Sequence, residues 1–296
     1  MRLVMTSGPA TVVQVNNINV LNSKEATPLG EGVKVYQADD REVILEGDFS
    51  GFHFYMIVTH TRFEILQNSV GVTTPESFRA EISMELEPGV HTSHIQNFHS
   101  LLVPLKYVSA ARMGRQLDGF ELALPRDTRR LLKCDLPLMS SRRLIKHPLI
   151  PLNIEYIGIA ATGERTAQKR LGEGHEKLQE LLARLHAHDS PRAVSLLLYR
   201  PGKLDDINWT FEETVEIFEA CQIQKFKPTP LNSEHLNFPR NKTQLTDKLR
   251  SLGVSEIEIE LQAPDGTAIH SIYAPTLAAK HQFIVPVPSI RKGSSK

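Results

Sequence analysis

Asn153-Ile154-Glu155-Tyr156-Ile157-Gly158-Ile159-Ala160 is followed, after a short polar gap, by Glu164 to Leu178, which carries Lys169-Arg170-Leu171 and His175. The stretch reads as a short strand ending in Tyr156-Ile157-Gly158, followed by a small loop and then a helix carrying Arg170 and His175. Leu149-Ile-Pro-Leu152 before it reads as the arm of a short hairpin or the start of the same strand. Thr162 can cap a helix, and Leu171, Leu178, Leu182 and Leu185 recur at helical spacing, so a helix is expected from Glu164 to about His188. Ala193-Val-Ser-Leu-Leu-Leu-Tyr199 is nearly all apolar and suits a strand covered on both faces. Thr210-Phe-Glu-Glu213 is a capping box, opening a helix that runs to about Lys227 and is stopped by Pro228 and Pro230. Its expected buried stripe is Phe211, Val215, Phe218 and Phe226, with Glu219 at the edge of the stripe. The order strand, strand, helix, strand, helix predicts a small mixed sheet flanked by helices, placed at residues 141–240 of an α/β (α+β) chain.

Outward from this core, residues 1–140 are written mostly in β. Thr11-Val-Val-Gln-Val15, Gly32 to Tyr36, Glu42 to Glu46, Phe52 to His60 and Arg62 to Leu66 are strand candidates. Phe78, Ala80, Ile82, Met84 and Leu86 alternate onto one face of another. This predicts a β-rich N-terminal module, a sandwich or a partly closed barrel, that selects a target or holds a partner, whether a protein or a second copy of the chain. His91, His94 and His99 lie close together within it, but their spacing fits no strong zinc pattern. Residues 241–296 read as a C-terminal α/β extension: a helix over Lys242 to Leu252 ended by Gly253, then strands at Glu256 to Leu261, Ala268 to Tyr273 and His281 to Val287. Glu256, Glu258 and Glu260 alternate with apolar residues, which predicts one solvated acidic face.

Whole-chain properties exclude some classes. Lys plus Arg and Asp plus Glu are 34 each, so the chain is not a generally basic nucleic-acid coat protein. Cys134 and Cys221 are too few and too distant for a disulfide framework or a thiolate zinc site. No apolar run is long enough for a membrane span, and the N-terminus lacks the apolar core of a signal peptide, so a cytoplasmic protein without a membrane partner is expected. Against the neutral whole, Arg112 to His147 holds nine Lys or Arg and four Asp or Glu, and Arg142 and Arg143 are candidate phosphate contacts. The plainer reading of that stretch is a solvated connector.

The residues around the decisive stretch resemble the GIY-YIG nucleases. Tyr156-Ile157-Gly158 is similar to the second half of that family's signature, Lys169-Arg170-Leu171 to its catalytic arginine, and His175 to the histidine that many members place four residues after it. Glu219-Ala-Cys-Gln-Ile-Gln-Lys-Phe-Lys-Pro228-Thr-Pro-Leu-Asn232 is similar to the run that begins with the metal-binding glutamate. The resemblance covers about 145–235 and implies a Mg²⁺- or Mn²⁺-dependent endonuclease acting on nucleic acid, with duplex DNA the expected substrate. It implies Tyr156, Arg170, His175 and Glu219 as catalytic residues, Glu219 as the metal ligand, and Gly158, Asn232, Arg142 and Arg143 as substrate contacts, with Asn232 holding either the substrate or the site loop. One carboxylate suffices for a hard ion that keeps several waters. Arg170 would neutralise charge on the transferring phosphate, and Tyr156 would orient or deprotonate the attacking water. A phenol, with an ordinary pKa of about 10, needs a partner such as His175 for that task.

Two departures stand out. The first signature tyrosine is not visible near Lys146-His147-Pro148: His147 stands in for it, or its strand lies further back, around Tyr107, beyond an insertion, or it is lost. His175 follows Arg170 by five residues, about 140° around a regular helix, and a one-residue π-bulge near Gly172 and Gly174 would bring it back to the site. The alternative reading is a non-catalytic nucleic-acid or protein-binding module on a decayed nuclease scaffold.

Overall fold

The structure, a computed structural model, describes residues 1–14, 34–37, 42–44, 52–100, 107–112, 117–124, 127–135, 145–146, 149–160, 175–188, 190–204, 209–240 and 243–289. Along the chain run β1 (Arg2–Gln14), β2 (Lys34–Gln37), β3 (Glu42–Ile44), β4 (Phe54–Thr61), β5 (Phe63–Ile65), β6 (Gly71–Thr74) and β7 (Ser77–Glu87). Then come β8 (Val90–Ser100), β9 (Val108–Ala111), β10 (Gly119–Leu124), β11 (Asp127–Asp135), β12 (Ile145–Lys146) and β13 (Ile150–Ile159). Helix α1 (Glu176–Ala187), β14 (Arg192–Leu204), α2 (Phe211–Phe226), α3 (Thr243–Ser251), β15 (Glu256–Gln262), β16 (Thr267–His270) and β17 (Lys280–Pro286) complete the fold, which is α+β.

The core expected as a three-stranded sheet is the middle of a seven-stranded one, ordered β16-β13-β4-β14-β1-β15-β17. Strands from all three expected segments share it, so the boundaries placed at 140 and 240 do not separate sheets. Strand β4 is central because Tyr55 to Val58 is fully buried on both faces, as a near-continuous apolar run requires. On one face α2 and α3 pack Ile217, Phe218, Ile223, Phe226, Leu245 and Leu249 onto Phe54, Met56, Val58, Leu152, Ile154 and Leu197. On the other face α1 packs Leu178 and Leu181 onto Tyr55, Ile57, Val194, Leu196 and Leu198. The capping box predicted for α2 is present in both halves, between Thr210 and Glu213. Phe211, expected in the buried stripe of that helix, is exposed instead; it is the first residue of the helix and meets the ring of His53 edge-on.

The other two sheets, β3-β2-β11-β10-β9 and β12-β8-β7-β5 with β6 on β7, enclose a separate core in which the rings of Phe78, Phe98 and Phe120 lie 5.0–5.1 Å apart. The stretch read as a solvated connector thus supplies a hairpin, β10 and β11. The predicted alternation on β7 holds through Ile82, but Leu86 is exposed because the β7–β8 ribbon runs out beyond its core. His91, His94 and His99 are strand residues of β8; His94 falls on the opposite face from the other two, and no group of three metal-ligating side chains occurs among the described residues. The C-terminal extension enlarges the main sheet from both ends, β15 pairing with β1 in parallel and β16 with β13 in parallel. Its glutamates show the predicted in-out pattern and are neutralised by Arg2 and Lys280. No helix among the described residues is long and apolar enough to cross a membrane.

Candidate active site

The site is built on the α1 face of the sheet, where β13 runs antiparallel to β4. A regular strand would alternate Asn153, Glu155 and Ile157 onto one face and send Tyr156 to the other. The register shifts between Ile154 and Tyr156, so that Ile154 faces Val58 and Tyr156 faces Ile57. This bulge at Glu155 turns Tyr156 onto the face that Tyr55 and Ile57 occupy, and returns Ile157 to the α2 core. Glu155 stays on the site face, accepting hydrogen bonds from Thr59 and Asn153 at 2.8 Å each and from Arg184 of α1 at 3.4 Å.

Two positions beyond Tyr156, Gly158 stands opposite Tyr55. A Cβ there would lie 2.6 Å from Tyr55 Oη and 2.7 Å from both Tyr55 Cζ and Tyr156 Cε1. The glycine is required by space: the two phenol rings close over its backbone. Their centroids are 6.2 Å apart, and the His175 ring completes the triangle at 5.5 Å from Tyr55 and 5.2 Å from Tyr156.

His175 arrives there by a route other than a π-bulge. It is the N-cap of α1, with extended backbone (φ −109, ψ 110), so α1 begins at Glu176; the earlier part of the expected helix, Glu164 to Gly174, lies outside the described residues. Its Nδ1 accepts the backbone N–H of Leu178 at 3.3 Å, one of the donors a helix leaves unsatisfied at its start. An accepting Nδ1 carries no proton, so the proton of the neutral ring is on Nε2, which donates to Tyr55 Oη at 2.7 Å. The cap therefore fixes both the tautomer and the direction of the imidazole. Tyr55 and His175 are buried, whereas Tyr156 is partly exposed, so solvent meets the triangle at Tyr156.

Asn232 is buried in the segment after α2. Its Oδ1 accepts the N–H of Ile157 at 2.8 Å and its Nδ2 donates to the C=O of Ile157 at 2.9 Å. Strand β16 leaves the edge of β13 after Asn153, and Asn232 does for Ile157 what a neighbouring strand would have done. The residue expected to touch substrate thus clamps the strand that carries Tyr156 and Gly158. Three positions on, His235 adopts a left-handed backbone (φ 59) and brings Nε2 to 4.0 Å from Glu219 Oε2. The Glu219 side chain is 12% exposed, a carboxylate on α2, the helix that covers the sheet face opposite to α1 and the triangle. With water and phosphate oxygens it makes the sparse oxygen-rich donor set that Mg²⁺ or Mn²⁺ accepts. Arg142, Arg143, His147 and Arg170 lie outside the described residues.

Two residues at the site were not singled out in the sequence. Tyr55 sits in an apolar strand whose only hint is that a buried phenol needs a polar partner. His235 has no local sequence signal; its approach to Glu219 depends on the path of the loop. Tyr107, the alternative location for the first signature tyrosine, is exposed and donates to Ser109 Oγ at 3.0 Å, away from the triangle. No family model, no curated protein and no solved structure matches the chain.

Proposed function

We propose that the chain is a metal-dependent endonuclease that hydrolyses phosphodiester bonds in nucleic acid, with duplex DNA as substrate, on a core similar to that of the GIY-YIG nucleases. The observation that carries the reading is the triangle of Tyr55, Tyr156 and His175 above Gly158. In this reading Tyr55 takes the place of the first signature tyrosine, and β5 to β12, which make most of the β-sandwich, are an insertion between the two signature strands. Tyr156, the solvent-facing phenol, orients the attacking water and receives its proton. Tyr55, held as an acceptor by His175, is a positioning residue that keeps the triangle closed. Glu219 holds the divalent ion, which when bound supplies charge neutralisation at the phosphoryl oxygens. Arg170 stabilises the charge of the transferring phosphate, and Arg142 and Arg143 contact the backbone. A cytoplasmic location and a partner held by the β-sandwich, a second copy or another protein, belong to the same proposal.

The test is incubation of purified protein with supercoiled plasmid and with single-stranded RNA, in Mg²⁺ or Mn²⁺, beside Glu219→Ala. Metal-dependent cutting that disappears in the variant is expected. Equal cutting by both proteins would reject Glu219 as the ligand. Salt-sensitive binding without cutting, on substrates of varied sequence, would favour the decayed scaffold.

A further inference from the structure

Loop residues between β16 and β17 expose two large apolar side chains, Ile272 at 78% and Tyr273 at 61%. The turn beneath them is fixed. Ser271 and Ala274, on either side, are buried; Ser271 N–H donates to Ala274 O at 3.0 Å, and Ala274 N–H donates to Ser271 Oγ at 3.0 Å. Ser271 Oγ in turn donates to the carbonyl of Phe226 at 2.6 Å, which ties the turn to the C-terminal end of α2. An exposed apolar pair on a rigid base loses little conformational freedom on binding, which marks it as a contact element rather than a frayed loop.

Its place in the fold suggests the partner. Phe226 is two turns beyond Glu219 on α2, about 10 Å along the helix axis. His270, just before the turn, pairs with Asn153, three strand residues or about 10 Å from Tyr156. The turn is thus tied to the C-terminal end of the helix that carries Glu219 and follows the strand paired with the one that carries Tyr156. The charge agrees. The segments that meet at the Ser271–Phe226 bond, Ala220 to Ser233 and Gly266 to Lys280, contain Lys225, Lys227 and Lys280 and no acidic residue, with Glu219, Glu234 and Asp265 just outside them; among the described residues Lys280 pairs with Glu260 and Lys225 lies over the ring of Phe283 at 5.6 Å. An aromatic tip with lysines behind it suits an unstacked base with its flanking phosphates.

We infer that the Ile272–Tyr273 turn contacts the nucleic acid beside the cleavage point, Tyr273 stacking on a base that has left the duplex and Lys225 and Lys227 holding adjacent phosphates. The inference rests on the nuclease reading of the site. It is tested by the affinity of the full chain, in EDTA, for a short fluorescein-labelled duplex with an unpaired bubble and for the fully paired duplex. Ile272→Ser with Tyr273→Ser should weaken binding to the bubble about tenfold, leave the salt dependence unchanged and leave the melting temperature unchanged. Lys225→Gln with Lys227→Gln should instead reduce the slope of log affinity against log salt by about 2. Unchanged affinity of the turn variant for the bubble, while wild type still cuts plasmid, overturns this inference alone. Loss of self-association in sedimentation with unchanged affinity for the bubble would make the turn a contact between copies and also overturns it. Wild-type protein that neither binds nor cuts overturns both readings.

Discussion

Gly158→Ala is the substitution whose outcome the structure determines most closely. The added methyl would sit 2.6–2.7 Å from Tyr55 Oη, Tyr55 Cζ and Tyr156 Cε1. Tyr55 is fully buried beneath Leu178 and Leu196 and is tied to His175, so it cannot swing aside without breaking that hydrogen bond. Overpacking of this kind costs about 1–3 kcal/mol, and separating a buried bonded pair adds about 1–2 kcal/mol. A total of about 2–5 kcal/mol corresponds to a fall of roughly 4–10 °C in Tm for a chain of this size. The assay is urea unfolding of Gly158→Ala, Tyr55→Leu and the double variant. Leucine in place of Tyr55 removes both contacting atoms of that ring, so the double variant should be more stable than the sum of the single losses by at least about 1 kcal/mol. Strict additivity, or a Gly158→Ala variant within about 0.5 kcal/mol of wild type, would refute the packing argument.

Three further outcomes follow from the geometry. His60 is buried, donates from Nδ1 to Thr61 O and accepts from Ser195, and burial pushes its pKa down to about 4. Between pH 6.5 and 4 the unfolded chain binds a proton that the native state refuses, so stability falls as pH falls across that window by up to about 3 kcal/mol; His60→Gln should flatten the urea-derived profile there, while His270 and His281, which burial also holds low, act in the same direction. Asn232→Ala strands the N–H and C=O of Ile157 and should cost about 2–4 kcal/mol in urea unfolding, with faster amide exchange confined first to β13. Thr210→Ala removes the cap from Glu213 N–H at the start of α2 and should cost about 1 kcal/mol by the same assay.

What could be read in the sequence was what depends on neighbours in the chain. The capping box of α2, the doubly covered strand at Ala193 to Tyr199 and the alternation of Glu256 to Leu261 are local patterns, and each appears where expected. What could not be read depends on pairings across the chain. Tyr55 and Tyr156 meet because β4 and β13 are neighbours, with β5 to β12 between them in sequence, and no periodicity reports that. The bulge at Glu155 is equally silent, since Asn153-Ile-Glu-Tyr-Ile reads as a plain strand until the partner strand is known. His175 was assigned to the site at the wrong position on its helix: a histidine before Glu176 can cap as well as lie within a turn, and the cap is what aims it at Tyr55. Glu219 was legible at the edge of its stripe, whereas His235 beside it required the loop's left-handed turn.

The central claim, that Tyr156 on this scaffold handles the proton of an attacking water, is tested most directly by single-turnover cleavage of supercoiled plasmid with Tyr156→Phe. The variant keeps the ring that packs against His175 and loses only the hydroxyl. The account predicts an unchanged Tm and a cleavage rate reduced by about a hundredfold or more, the usual scale for losing a positioned acid–base group. Cleavage at the wild-type rate by Tyr156→Phe would contradict it.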